Sequence, residues 1–92
     1  MAFIDSHSIA VFEAQAREGN SSALYTLGMA YSTGQGVPMD YVAAHKFFNL
    51  AAMKGSTEAR DMRAEISREM SAQEIAEAQR QAREWLTSAT VH

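Results

Sequence analysis

Three histidines, His7, His45 and His92, and four carboxylates, Glu58, Asp61, Glu65 and Glu69, are the side chains best suited to bind a metal or move a proton. Their spacing serves neither purpose. No histidine stands in an HxxxH or ExxH pattern, which would put two ligands on one helical face. Helical i, i+4 geometry sets His45 beside Tyr41 and Asn49, enough to orient an imidazole but not to activate it. The expectation is a structural histidine, exposed or hydrogen-bonded. The carboxylates interleave with Arg60, Arg63 and Arg68, the pattern of a solvated charged face. Serines are plentiful, yet no nucleophile elbow and no informatively spaced His and acid accompany them. Cysteine is absent, which removes thiolate catalysis, Cys-based zinc sites and disulfides together. No catalytic residue, metal site or cofactor is expected.

The remaining chemical candidate is the stretch "YSTGQGVPMDY", residues 31–41, which holds two of the five glycines and the single proline. A phosphate-binding loop needs a further glycine, a Lys-Ser or Lys-Thr pair and a preceding strand, and none is present. The same residues suit a helix-to-helix connector. Gly34 and Gly36 can take backbone conformations that strain other residues, Val37 can tuck between helices, Pro38 sets the exit, and Asp40 can cap the next helix.

The elements around that connector are helical, because apolar residues recur at i, i+3, i+4 and i+7 and nowhere alternate for long. The spacing predicts an all-α fold of five antiparallel helices at about 7–18, 21–33, 40–54, 57–69 and 72–86. Ile9, Phe12 and Ala16 form the inner face of the first; Ala23, Leu24, Leu27, Gly28 and Tyr31 that of the second. Ala44, Phe47, Phe48, Ala51 and Ala52 serve the third, and Ala59, Met62 and Ile66 the fourth. Ile75, Ala78, Ala82 and Trp85 or Leu86 line the fifth. Gly19 and Gly55 end helices; Asn20, Asp40 and Ser56 or Thr57 begin them. Ser71 and Glu74 read as a capping box, with Met70 and Ile75 spaced as a hydrophobic staple. Gly28 lies mid-helix at a cost of about 1 kcal/mol, which calls for a close helix approach. Phe47, Phe48, Tyr31 and Trp85 fall at core spacing rather than as a ligand cage.

With 92 residues the chain is one small domain with a thin core. Eleven acids against eight basic residues give a net charge of -3, which offers no footprint for nucleic acid or anionic lipid. The start of the chain has no secretory pattern, and no stretch approaches the length of a membrane span. A cytoplasmic protein is the expectation.

Shifting the chain by 36 residues superposes "AREGNSSAL" on "AMKGSTEAR": Ala16 falls on Ala52, Gly19 on Gly55, Ser21 on Thr57 and Ala23 on Ala59. One helix, turn, helix joint therefore occurs twice, which favours a short solenoid over a bundle. A repeat of this length and the string "ALYTLGMAYSTGQGVPMDYVAAHKFFNLAAMKGSTEA" resemble the Sel-one-like repeat family, relatives of the tetratricopeptide repeats. Ala23, Leu27, Gly28, Tyr31, Gly34, Gly36, Val37, Asp40, Ala44, Phe47, Ala51, Ala52, Gly55 and Ala59 carry the resemblance. One complete repeat spans about 20–55, with partial units at 6–19 and 56–69. Ala64 and Ser67 stand where Gly28 and Tyr31 would recur, and the fifth helix, 71–86, lies outside the motif as a terminal cap.

The resemblance implies an α/α superhelix that acts as an adaptor, binding another protein without catalysis. In such a solenoid the first helix of each hairpin lines the concave side. The 36-residue shift pairs Tyr25 with Asp61, Met29 with Glu65 and Ser32 with Arg68, and these six form the expected partner-contact strip, suited to a peptide or helix. A homo-oligomeric structural module is the alternative, since fewer than three hairpins leave apolar surface for self-association.

Overall fold

The computed structural model describes residues 4–90, with side chains as far as Ser88. Every regular element among them is helical: α1 (Ser6–Arg17), α2 (Ser21–Thr33), α3 (Tyr41–Met53), α4 (Thr57–Ser67) and α5 (Ala72–Thr90). His92 falls outside the described residues.

Each helix begins where a side chain satisfies its free N–H groups. Asn20 Oδ1 accepts from Ala23 N–H at 3.0 Å, Asp40 Oδ1 from Ala43 N–H at 3.1 Å, and Ser56 Oγ from Ala59 N–H at 3.1 Å. Asp5 does the same for α1, accepting from Ser8 N–H at 2.8 Å, so this helix starts a residue earlier than its apolar spacing predicts. Asp40 lies outside α3 as its cap, which starts that helix at Tyr41. The Ser71 and Glu74 capping box forms in both directions, at 2.8 and 3.0 Å.

Two helix ends differ from expectation by two residues or more. α4 stops at Ser67 because Arg68, Glu69 and Met70 donate three residues back, to Glu65, Ile66 and Ser67, and the chain must turn before the box at Ser71. α5 runs past Leu86 to Thr90, since no glycine or proline interrupts "TSAT".

The internal repeat holds bond for bond. At the α1–α2 joint Glu18 N–H donates to Gln15, Gly19 to Ala16, Asn20 to Gln15 and Leu24 to Asn20. At the α3–α4 joint, 36 residues on, Lys54 donates to Ala51, Gly55 to Ala52, Ser56 to Ala51 and Arg60 to Ser56. Gly19 and Gly55 take matching left-handed conformations, φ 87° and 99°. One local backbone solution is thus used twice.

α3 is the hub. It packs against α2, α4 and α5, while α1 packs against α2. Its buried face is accordingly wider than the expected stripe: Ala43, His45 and Leu50 join Ala44, Phe47, Phe48 and Ala51. Around it lie Leu24, Leu27 and Ala30 of α2, Ala59 and Ile66 of α4, and Ala78 and Ala82 of α5. Gly28 makes the α2–α3 pairing possible, since a Cβ there would lie 2.5 Å from the Phe48 ring. The body measures 35 × 31 × 23 Å with a radius of gyration of 12.2 Å, close to the roughly 12 Å of a compact globule this size. It is scarcely longer than it is wide.

Candidate functional site

The predicted contact strip divides between half-buried and exposed positions. Tyr25 and Met29 are half-buried against the core, the Tyr25 ring lying 5.7 Å from Phe48 at 54°. Their outer atoms alone reach solvent. The Ser32 hydroxyl donates back to the Met29 carbonyl at 3.0 Å. Asp61 and Glu65 are exposed on α4, and Arg68 is exposed in the turn directly after it.

Beside Tyr25 runs an open groove of about 570 Å³ between the first turns of α2 and α4. Its α2 wall includes Tyr25 and Thr26, its α4 wall Ser56 and Glu58, with Lys54 at one end. The groove therefore takes Tyr25 from the strip but meets α4 a turn before Asp61. Its rim is polar, and Tyr25 is its one aromatic.

The aromatic residues form a stack rather than a cage. Tyr31 lies against Phe47 at 5.7 Å and 17°, and Trp85 meets the edge of Phe47 at 5.3 Å and 82°. Two cations cover this stack: Arg17 sits 4.5 Å from the Trp85 ring centre and Lys46 4.4 Å from that of Phe47. Burial lowers the Lys46 ammonium below its usual range, while Glu13 and Asp40 pull it back up. Through Trp85, α5 is anchored to α3 and touches the end of α1.

The charged face predicted on α4 is only partly solvated. Arg60 and Arg68 are exposed, but Arg63 is half-buried and its guanidinium donates to Asn49 Oδ1 of α3. Asn49 thus holds Arg63, not the imidazole it was expected to orient. His45 is 3% exposed. Its Nε2 lies 3.1 Å from Ser67 Oγ, and that hydroxyl donates to the Arg63 carbonyl at 2.7 Å. In the sequence Ser67 stands out only as a departure from the repeat; its smallness, where the preceding unit has Tyr31, is the signal that a neighbouring side chain enters.

The carboxylates of α4 do not converge, and among the described residues no three His, Cys, Asp or Glu are placed to hold a metal. No described helix is long and apolar enough to cross a membrane. On the outer side of α5, Arg80 bridges Glu77 and Glu84. Hydrogen bonds from Arg80 and then Gln81 hold the Glu77 carboxyl at about 2. These ion pairs are exposed and keep this face polar.

Comparison with protein families finds the Sel1 repeat, matched over residues 21–56 and again over 76–90. The first match covers α2, the glycine-containing connector and α3, with the turn after it. The second falls on α5, which the motif in the sequence had left outside; repeat character continues into the last helix. No curated protein gives a significant match. Sel1 repeats generally mediate protein–protein interaction and form a non-catalytic family. The duplicated joint, the Gly28–Phe48 contact and the two matched segments, which together cover more than half of the chain, place this protein in the Sel1 repeat family.

Proposed function

We propose that this chain is a cytoplasmic adaptor that binds a peptide or helix of a partner protein along the α2 and α4 side. The groove beside Tyr25 carries this reading, because it offers a half-buried aromatic within a polar rim. Met29 and Ser32 extend the surface along α2, and Asp61 and Glu65 on α4, with Arg68 in the turn after it, continue it with mixed charge. An aromatic floor supplies contact area while the charges select register and sign.

Asp61 and Glu65 are exposed, so reversing them leaves the fold in place. With a partner peptide selected from a displayed library against the native chain, Asp61→Lys with Glu65→Lys lowers affinity by about tenfold or more. Tyr25→Ala abolishes binding. Unchanged affinity in both variants would remove this surface from the function.

The alternative is a self-associating structural module. Val11 on α1, 45% exposed, and Leu86 on α5, 37% exposed, are apolar side chains such a contact would use. Sedimentation velocity over a wide concentration range separates the two: the adaptor stays monomeric without its partner, and a module does not.

A further inference from the structure

We propose that His45 is an acid-sensitive latch on the α3–α4 hairpin: uptake of a proton by its ring releases α4 from the core. The hydrogen bonds around the ring set its tautomer. Ser67 Oγ donates to the Arg63 carbonyl, so toward His45 it acts as an acceptor. Nε2 must then carry the ring hydrogen, and Nδ1 is left as a bare acceptor. Nδ1 is buried, and no group among the described residues hydrogen-bonds to it. The 36-residue shift sets His45 on Ile9, which is also buried, 5% exposed. An apolar residue serves this position in the preceding unit, and a histidine here leaves an unsatisfied buried atom. Such a group in a native core calls for an explanation beyond packing.

Protonation of Nδ1 creates an N–H with no acceptor and a cation away from water. The charged group that reaches the ring is Arg63 of α4, which repels it. Among the described residues no nearby acid offsets this. α2 carries no acid or base apart from its tyrosines, and on α3 Lys46 is turned to the Phe47 and Trp85 rings. On α5 the acids Glu74, Glu77 and Glu84 are engaged by the Ser71 N–H or by Arg80, and Arg83 is exposed. On α4 itself Glu58, Asp61 and Glu65 are exposed. Burial first, and Arg63 second, hold the ring's proton affinity below that of an ordinary histidine.

α4 is the element that yields. Ser67 and Arg63 both belong to it, so its departure removes the repulsion and lets water reach the ring. Of its eleven residues only Ala59 and Ile66 are fully buried. α4 carries Asp61 and Glu65, but the latch stands on its own geometry and does not depend on the proposed partner surface.

The direction of the shift sets the sign. The unfolded or opened chain has a histidine near 6.5, and the closed chain has a lower value. Above about pH 6.5 both are neutral and the latch is closed. As pH falls below that, the open form takes the proton first, and closure loses up to about tenfold per pH unit until the closed form also protonates.

The test is amide hydrogen exchange on the full chain at about pH 7.5 and about pH 5, corrected for intrinsic rates, where ordinary carboxylates are still mostly ionised. The latch predicts that α4 amides lose at least about fivefold more protection than α2 amides on acidification, from the linkage above. The difference disappears in His45→Gln, and in His45→Leu should the amide variant fold poorly. Equal loss in both helices, or a selective α4 loss that persists in the variants, would overturn the proposal. So would an NMR titration of His45 in the native chain with a midpoint at or above about 6.5.

Discussion

At Gly28 two residue-scale effects oppose each other. Alanine would improve helix propensity by about 1 kcal/mol. Its Cβ, however, would lie 2.5 Å from two atoms of the Phe48 ring, which is fully buried and has nowhere to swing. Overpacking of this kind costs about 1–3 kcal/mol, so after the propensity gain Gly28→Ala is expected to destabilise the fold by up to about 2 kcal/mol, read from its urea midpoint. Adding Phe48→Leu relieves the clash, and the two substitutions together cost less than their sum. Gly36 is constrained in a second way, by its backbone conformation and by a backbone neighbour that cannot rotate aside. Its φ is 75°, and a Cβ would fall 2.8 Å from the Asp5 backbone, so the connector lies directly on the start of α1. The sequence made the positive φ legible and left the neighbour hidden, because Asp5 is remote in the chain and nothing local marks the contact.

The elements were readable because their ends are written locally. Asn20, Asp40, Ser56 and the Ser71–Glu74 box all stand at the starts of the helices they cap. The box is testable. Ser71→Ala removes an exposed cap and is expected to cost about 1 kcal/mol, measured by urea unfolding. Glu74→Gln costs less, because glutamine can complete the same box. The stop of α4 was harder to see: no glycine marks it, and the turn at Arg68–Met70 is a tightening of the last carbonyls. The longer α5 has the opposite cause, an absence of any breaker that left its end unmarked.

On the scale of the whole molecule, α3 makes one cooperative unit of five short helices. Trp85 reports α5 against Phe47, and the same Phe47 ring stacks with Tyr31 of α2, so the probe sits on the joint between three helices. At neutral pH, urea is expected to remove tryptophan fluorescence and helical circular dichroism in coincident transitions with one midpoint. Separate midpoints would mean that α5 detaches before the α2–α3 core melts. The acid-driven release of α4 is a local exception to this cooperativity: α4 packs on the hub through Ala59 and Ile66, the two residues it buries fully.

What the sequence by itself determined was the all-α class, the repeat of 36 residues and the family, since these rest on periodicity, caps and small residues that act within a turn or two of themselves. It also identified Gly28 as a point of close approach. The tertiary structure alone decided what each helix meets. His45 looked like a histidine oriented by its own helix, and Arg63 like a solvated charge. Both instead face the α3–α4 seam, one against Ser67 and the other against Asn49. The physical reason is that burial is set by how many neighbours surround a helix. α3 is enclosed on three sides, so positions flanking its apolar stripe are drawn into the core, and no pattern within one helix records how many others will pack around it.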